Sequence, residues 1–182
     1  MSSKVRELAK LKHEEKGQLY DDLNYVVHLD GVVGVIKEFL SSHPCLQMLI
    51  DLGYLHDTKE DTDITDKEIL SVTNHVVLDL VNLLTDKEGN NRTERHLNTY
   101  CLIRECEDAV LGKVSDRIFN IRRCLLNKSK KGKMYCIKEG QTFKSALYDP
   151  RHQYAQVLWK EYDRLISVYK NENSKVCCGI RN

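Results

Sequence analysis

Apolar positions recur at helical spacing along most of the chain. Val5, Leu8 and Leu11 mark a short leading helix that ends near Gly17. From Asp22 the positions Leu23, Val26, Val27, Val32, Val33, Val35, Ile36 and Phe39 predict a buried helix, stopped by Ser41, Ser42 and Pro44. A further apolar stretch spans Leu46 to Leu55. Thr65 or Asp66 then caps a helix carried by Ile69, Val72, Val76, Val77, Leu80 and Leu84. A turn around Gly89 leads to a helix over Glu94 to Arg104. The strongest period belongs to Val110, Leu111, Val114, Ile118, Ile121 and Leu125, which fall on one helix face. Residues 127 to 142 read as a loop. A last helix is expected from about Pro150 to Tyr169, with Tyr154, Val157, Leu158, Tyr162, Leu165 and Ile166 inward, and Trp159 packing in the core or at its rim. Residues 171 to 182 read as a flexible tail.

The pattern therefore predicts an all-α, single-domain helical bundle over residues 1–170. A length of 182 residues suits one core, and only 9 Gly and 2 Pro leave too few turns for a sandwich or barrel. With 28 basic and 27 acidic side chains the charge is nearly balanced, which argues against a nucleic-acid or membrane-surface partner. The seven cysteines lack the spacing of a zinc site or a disulfide framework, so a reducing, cytoplasmic setting is expected, with Cys177 and Cys178 as exposed thiols in the tail.

Chemistry concentrates in one short run. His56, Asp57, Glu60, Asp61 and Asp63 follow directly on the apolar LIDLGYL, and carboxylates this dense need a cation to neutralise them. His56 and Asp57 offer one nitrogen and one oxygen ligand to a divalent metal. His28, inside YVVHLDGVV, and Asp116, inside VLGKVSDRIFNIRR, are polar residues in core-like segments and complete a candidate set. Alone, His28 reads as a core histidine and Asp116 as a helix-surface partner of Arg117 or Lys113. Beside the acidic run they point to a metal. His13, His43, His75, His96 and His152 are expected at the surface.

The order His28, His56-Asp57, Asp116 resembles the H…HD…D pattern of HD-domain metal-dependent phosphohydrolases. HDTKEDTDIT resembles the HDxxEDT motif, and VSDRIFNIRR the LADRLHNMR motif, of the guanosine tetraphosphate hydrolase domains of the RelA/SpoT family and their small stand-alone relatives. TDKEGNNRTER and KGQLYDDLNYVVH resemble that family's VTDK…ER and GQxR…PYxxHP segments, so the likeness covers roughly residues 17 to 125. FKSALYDP…LWKEYDRL resembles the last helix of small single-domain HD proteins, some of them carried by phages.

The resemblance implies an HD-domain fold with His28, His56, Asp57 and Asp116 as ligands, manganese as the ion, and Glu60 and Asp61 positioning and activating the attacking water. It implies that Asn120 and, more loosely, Arg92 lie near a small phosphorylated nucleotide. The implied activity is removal of the 3′-pyrophosphate from guanosine tetraphosphate or pentaphosphate. Tyr20 and Asp21 stand where the family carries a basic pair near the nucleotide base, and Leu29 replaces a proline. Those departures favour another nucleotide as the alternative, such as the 2′-phosphate of NADPH. A non-catalytic binding module is a third reading, disfavoured because no ligand position is lost. The basic run Lys128, Lys130, Lys131, Lys133 reads as a solvated loop.

Overall fold

Helix α8, Glu107–Leu126, is the axis on which the other elements dock. In the computed structural model, which describes residues 2–178, α8 packs against both α2 (Val26–Phe39) and α11 (Ala155–Cys178). Its period explains this: Val110, Leu111, Val114, Ile118 and Ile121 are all buried, with Leu125 packed against their edge. The remaining helices are α1 (Ser2–Glu15), α3 (Leu46–Leu55), α4 (Thr58–Asp61), α5 (Asp66–Val72), α6 (His75–Leu84), α7 (Arg92–Ile103), the short turn α9 (Lys131–Lys133) and α10 (Gly140–Leu147). Buried residues from α1 to α11 join in one core, so the chain is an all-α, single-domain bundle. Among the described residues no helix is long and apolar enough to cross a membrane. Cys45, Cys101, Cys106, Cys124 and Cys136 are free thiols.

The elements depart from the apolar pattern at four places. Leu19–Tyr20 and Leu23–Asn24 pair antiparallel as β1 and β2, with Leu19 opposite Asn24 and Tyr20 opposite Leu23. Asp21 and Asp22 form the two-residue turn at φ 49° and 64°, the left-handed geometry such hairpins require. Leu23 is consequently exposed, and α2 begins only at Val26.

The helix expected over 66–84 breaks at Thr73–Asn74. Asn74 accepts the Val77 N–H (3.1 Å) and starts α6, while the expected cap at Thr65 forms a reciprocal capping box with Glu68 that starts α5. Apolar residues continue across the break in register, which is why the pattern alone does not reveal it.

The segment 127–142 is folded for most of its length. After α9 comes a π-helix, Met134–Lys138, which leads into α10 and buries Cys136, Phe143 and Leu147 in the core. Its glycines serve packing: a Cβ on Gly132 would stand 2.5 Å from the Tyr169 ring. The last helix extends past Tyr169 to Cys178, with Tyr154 and Val157 partly exposed and Trp159 buried. Residues 179–182 and the thiols of Cys177 and Cys178 lie outside the described residues.

The histidines expected at the surface divide. His75 is exposed and His96 half-buried, but His13, His43 and His152 are buried. His13 is on the inward face of α1 and stacks on Tyr25, with ring centroids 4.1 Å apart and planes 14° apart.

Candidate active site

Three separated segments bring the four expected ligands to one point. His28 comes from the first turn of α2, His56 and Asp57 from the junction of α3 with α4, and Asp116 from the middle of α8. His28 Nε2 is 3.2 Å from His56 Nε2, 3.2 Å from Asp57 Oδ2 and 3.4 Å from Asp116 Oδ1. His56 Nε2 is 3.0 Å from Asp57 Oδ2 and 3.9 Å from Asp116 Oδ1. Asp116 thus faces the histidines and makes no ion pair with Arg117 or Lys113 among the described residues.

His56 and Asp57 sit at a helix junction instead of inside a continuous helix. Thr58 Oγ1 donates to the Leu55 carbonyl (2.7 Å), and the Asp61 N–H donates to the Asp57 carbonyl (3.0 Å). This tight turn aims both side chains inward.

The donor set suits a divalent cation. His56 Nδ1 lies 2.9 Å from the Gly53 carbonyl, so Nδ1 carries a proton and Nε2 is the nitrogen turned to the cluster. His28, His56 and Asp116 each present an atom within 4.8 Å of the others, and Asp57 Oδ2 lies 3.2 and 3.0 Å from the two imidazoles, an arrangement a divalent cation could bridge in place of the His56 proton. Ligand atoms on adjacent corners of an octahedron with bonds of roughly 2.1 Å stand about 3 Å apart, close to this spacing.

A surrounding layer holds each ligand. The Tyr25 hydroxyl donates to Asp57 Oδ2 (2.6 Å), and Asn120 Nδ2 donates to Asp116 Oδ1 (2.6 Å). The Tyr20 hydroxyl donates to Asn120 Oδ1 (2.8 Å), extending that chain by one link. His28 is oriented by rings: Tyr20 stacks on it at 4.7 Å, and Phe119 lies 5.5 Å away. Phe119 can approach because Gly31 presents no side chain; a Cβ there would stand 2.0 Å from its Cε2.

The cluster borders an open cleft of about 230 Å³. Glu60, Asp61, Asn120 and Arg92, the other residues singled out from the sequence, all line it. The basic run Lys128, Lys130, Lys131, Lys133 does not. Residues that sequence reasoning passed over also line it: Tyr25, Asp86, His96, Tyr100, Lys113, Arg117 and Tyr135. Lys113 and Arg117 were legible only through their spacing from Asp116 on one helix. Arg117 is buried between the rings of Tyr135 (4.7 Å) and Phe143 (4.5 Å) and donates to Glu139 (3.0 Å). Arg92 also donates to Glu139 (3.3 Å).

Charges in the cleft are strongly coupled. Burial opposes the ionised form of Asp57, yet His56 and His28 hold its carboxyl well below the usual range. Burial likewise disfavours the charged His56 ring, but Asp57 and then Asp116 push its pKa up to about 9. Desolvation of the Glu60 carboxyl in the cleft, reinforced by Asp57 and Asp86 and opposed by Lys113, pushes its pKa up to about 7. Glu60 Oε1 accepts the Asp86 N–H (2.7 Å). Desolvation and the neighbouring Asp57 also raise Asp61. A carboxyl near 7 beside a candidate cation site is suited to general-base work at neutral pH.

No family model matches the chain. A solved structure described as a metazoan ortholog of SpoT that hydrolyzes ppGpp and plays a role in starvation responses matches 90% of this chain and 94% of its own, with a TM-score of 0.68 and 17% sequence identity. At that identity the likeness shows a shared fold, the HD-like helical bundle.

Proposed function

We propose that the chain is a metal-dependent phosphohydrolase that removes the 3′-pyrophosphate from guanosine tetraphosphate or pentaphosphate. The observation that carries this reading is the convergence of His28, His56, Asp57 and Asp116 beside Glu60 in one cleft. The hydrolysis of ppGpp by the protein of similar fold supports it.

His28, His56, Asp57 and Asp116 would hold the ion, with manganese the metal proposed; once bound, it supplies Lewis-acid activation of a water and neutralises phosphate charge. Glu60 takes a proton from the attacking water, and Asp61 beside it helps fix that water's orientation. The water oxygen bonds to the phosphorus attached at the 3′ oxygen. The bond from that phosphorus to the 3′ oxygen breaks, and the 3′ oxygen takes a proton from solvent as pyrophosphate leaves. Asn120 keeps Asp116 aimed at the cluster through its 2.6 Å hydrogen bond, and Arg92 at the rim attracts the anionic substrate.

One observation favours a second reading, the same chemistry on another phosphorylated nucleotide such as NADPH. Asp21 is turned away from the cleft lining, contacting Asn127 (3.1 Å) and Arg123 (3.6 Å), and Tyr20 is committed to His28 and Asn120.

A panel of phosphorylated nucleotides incubated with manganese, assayed for pyrophosphate and phosphate release, separates the two readings. Activity should vanish with chelator and in His56→Ala, while Glu60→Gln should keep manganese binding and lose roughly 100-fold or more in turnover. Release that persists after metal removal would refute the proposal.

A further inference from the structure

Lys113 is on α8 one turn before Asp116, so the two share the face that lines the cleft. It is half-buried, and burial disfavours its charge, but the fields of Asp116, Glu60 and Asp57 outweigh this and keep it an ammonium ion. A half-buried ammonium has three donors to satisfy. Among the described residues Lys113 makes no hydrogen bond and no ion pair. The carboxylates whose fields it feels are engaged elsewhere: Asp116 Oδ1 by Asn120, Asp57 Oδ2 by Tyr25, and Glu60 Oε1 by the Asp86 N–H.

The other cations of the cleft differ in this respect. Arg92 and Arg117 share Glu139, and His96, whose pKa burial lowers, is not a competing cation. Lys113 is therefore the lining cation, among the described residues, whose charge no side chain caps. A salt bridge to the acidic cluster would have closed to within 4 Å, and this one stays open.

We propose that the Lys113 ammonium binds a non-bridging oxygen of the phosphoryl group that reacts in this cleft. The proposal rests on the phosphohydrolase reading and assigns that site a substrate-binding group on the α8 wall. An ammonium on a flexible stem suits the task, because it can follow an oxygen that moves as the phosphorus inverts, which a bidentate guanidinium does less readily.

The test measures anion binding separately from turnover. Wild type, Lys113→Met and Lys113→Arg are titrated first with manganese and then, when loaded, with inorganic phosphate, both by calorimetry. Lys113→Met should bind manganese as tightly as wild type or more tightly, since a repelling charge is gone. It should bind phosphate about 10- to 100-fold more weakly, the loss expected for one hydrogen bond to a charged group. Lys113→Arg should recover part of that loss. If Lys113→Met does not fold, Lys113→Gln carries the same comparison.

Unchanged phosphate affinity in the Met or Gln variant would overturn the proposal, as would loss of manganese binding together with phosphate, which marks a structural role. Wild type that binds manganese but no phosphate overturns it too. If no nucleotide in the panel is cleaved, the hydrolase reading falls alone, and the phosphate titration still decides the role of Lys113.

Discussion

Changing Tyr25 to Phe deletes one oxygen from a buried position and leaves the ring stacked on His13 at 4.1 Å. The lost contact is a 2.6 Å hydrogen bond to Asp57 Oδ2, a carboxylate that His56 and His28 hold ionised. Hydrogen bonds to charged groups contribute about 1.5–3 kcal/mol. Part of that strength fixes the angle at which Asp57 meets the cluster, and loss of such an outer contact weakens metal affinity by about 10- to 100-fold. The two figures agree, since a tenfold change corresponds to about 1.4 kcal/mol. Manganese titration of wild type and Tyr25→Phe by calorimetry at pH 7.5 should show a drop in that range, with near-unchanged far-ultraviolet circular dichroism. Tyr20→Phe, which breaks the chain one link further out at Asn120, should cost less. Equal manganese affinities for Tyr25→Phe and wild type would refute the claim that Asp57 is a ligand held by Tyr25.

Two further outcomes are expected. Gly31→Ala places a Cβ 2.0 Å from Phe119 and must displace a ring that packs on His28; it should lower stability by about 1–3 kcal/mol and weaken metal binding, and Phe119→Leu in the same chain should restore part of both. Desolvation lowers the pKa of buried His13 to about 4, below its unfolded value near 6.5. The unfolded chain therefore binds the extra proton, and this contribution, full above pH 6.5, is lost as pH falls toward 4. Between pH 7 and pH 5 the loss is about 2 kcal/mol, and urea unfolding of His13→Phe should show a correspondingly shallower decline; an identical decline in both would disprove it.

The residues of the candidate cluster were legible because chemistry restricts metal ligands to a few residue types: a histidine in YVVHLDGVV and an aspartate in VLGKVSDRIFNIRR contradict their apolar surroundings. Long helices were legible for the complementary reason, that α8 repeats its buried positions without interruption. The rest depends on geometry that residue type does not announce. Lys113 and Arg117 resemble any basic residues of an amphipathic helix until the cleft wall is seen. The π-helix at Met134–Lys138 hides among lysines and glycines that read as loop, and its Tyr135 and Glu139 reach the cleft or its arginines only through that folding. Leu23 continues the α2 apolar pattern, so the hairpin that puts Tyr20 on His28 is masked. His13 reads as a surface histidine by residue type, although it follows the buried Val5 and Ala9 at four-residue spacing on the face of α1 that meets Tyr25.

The break between α3 and α4, the first turn of α2 and the middle of α8 supply the candidate metal ligands, whereas Asp86, Arg92 and Tyr135 reach the cleft from the connection before α7, its first residue and the π-helix. The candidate metal cluster is thus anchored in packed helices, whereas Asp86 lies on a connection that can change sequence without disturbing the core, and the π-helix that carries Tyr135 is tied to the core through Cys136. If the proposed phosphohydrolase reading holds, edits at residues 85–92 would exchange one phosphorylated substrate for another while the His28, His56, Asp57 and Asp116 cluster stays the same. On that reading, substrate range would be an adjustable property of this connection, separable from the reaction the helices would carry.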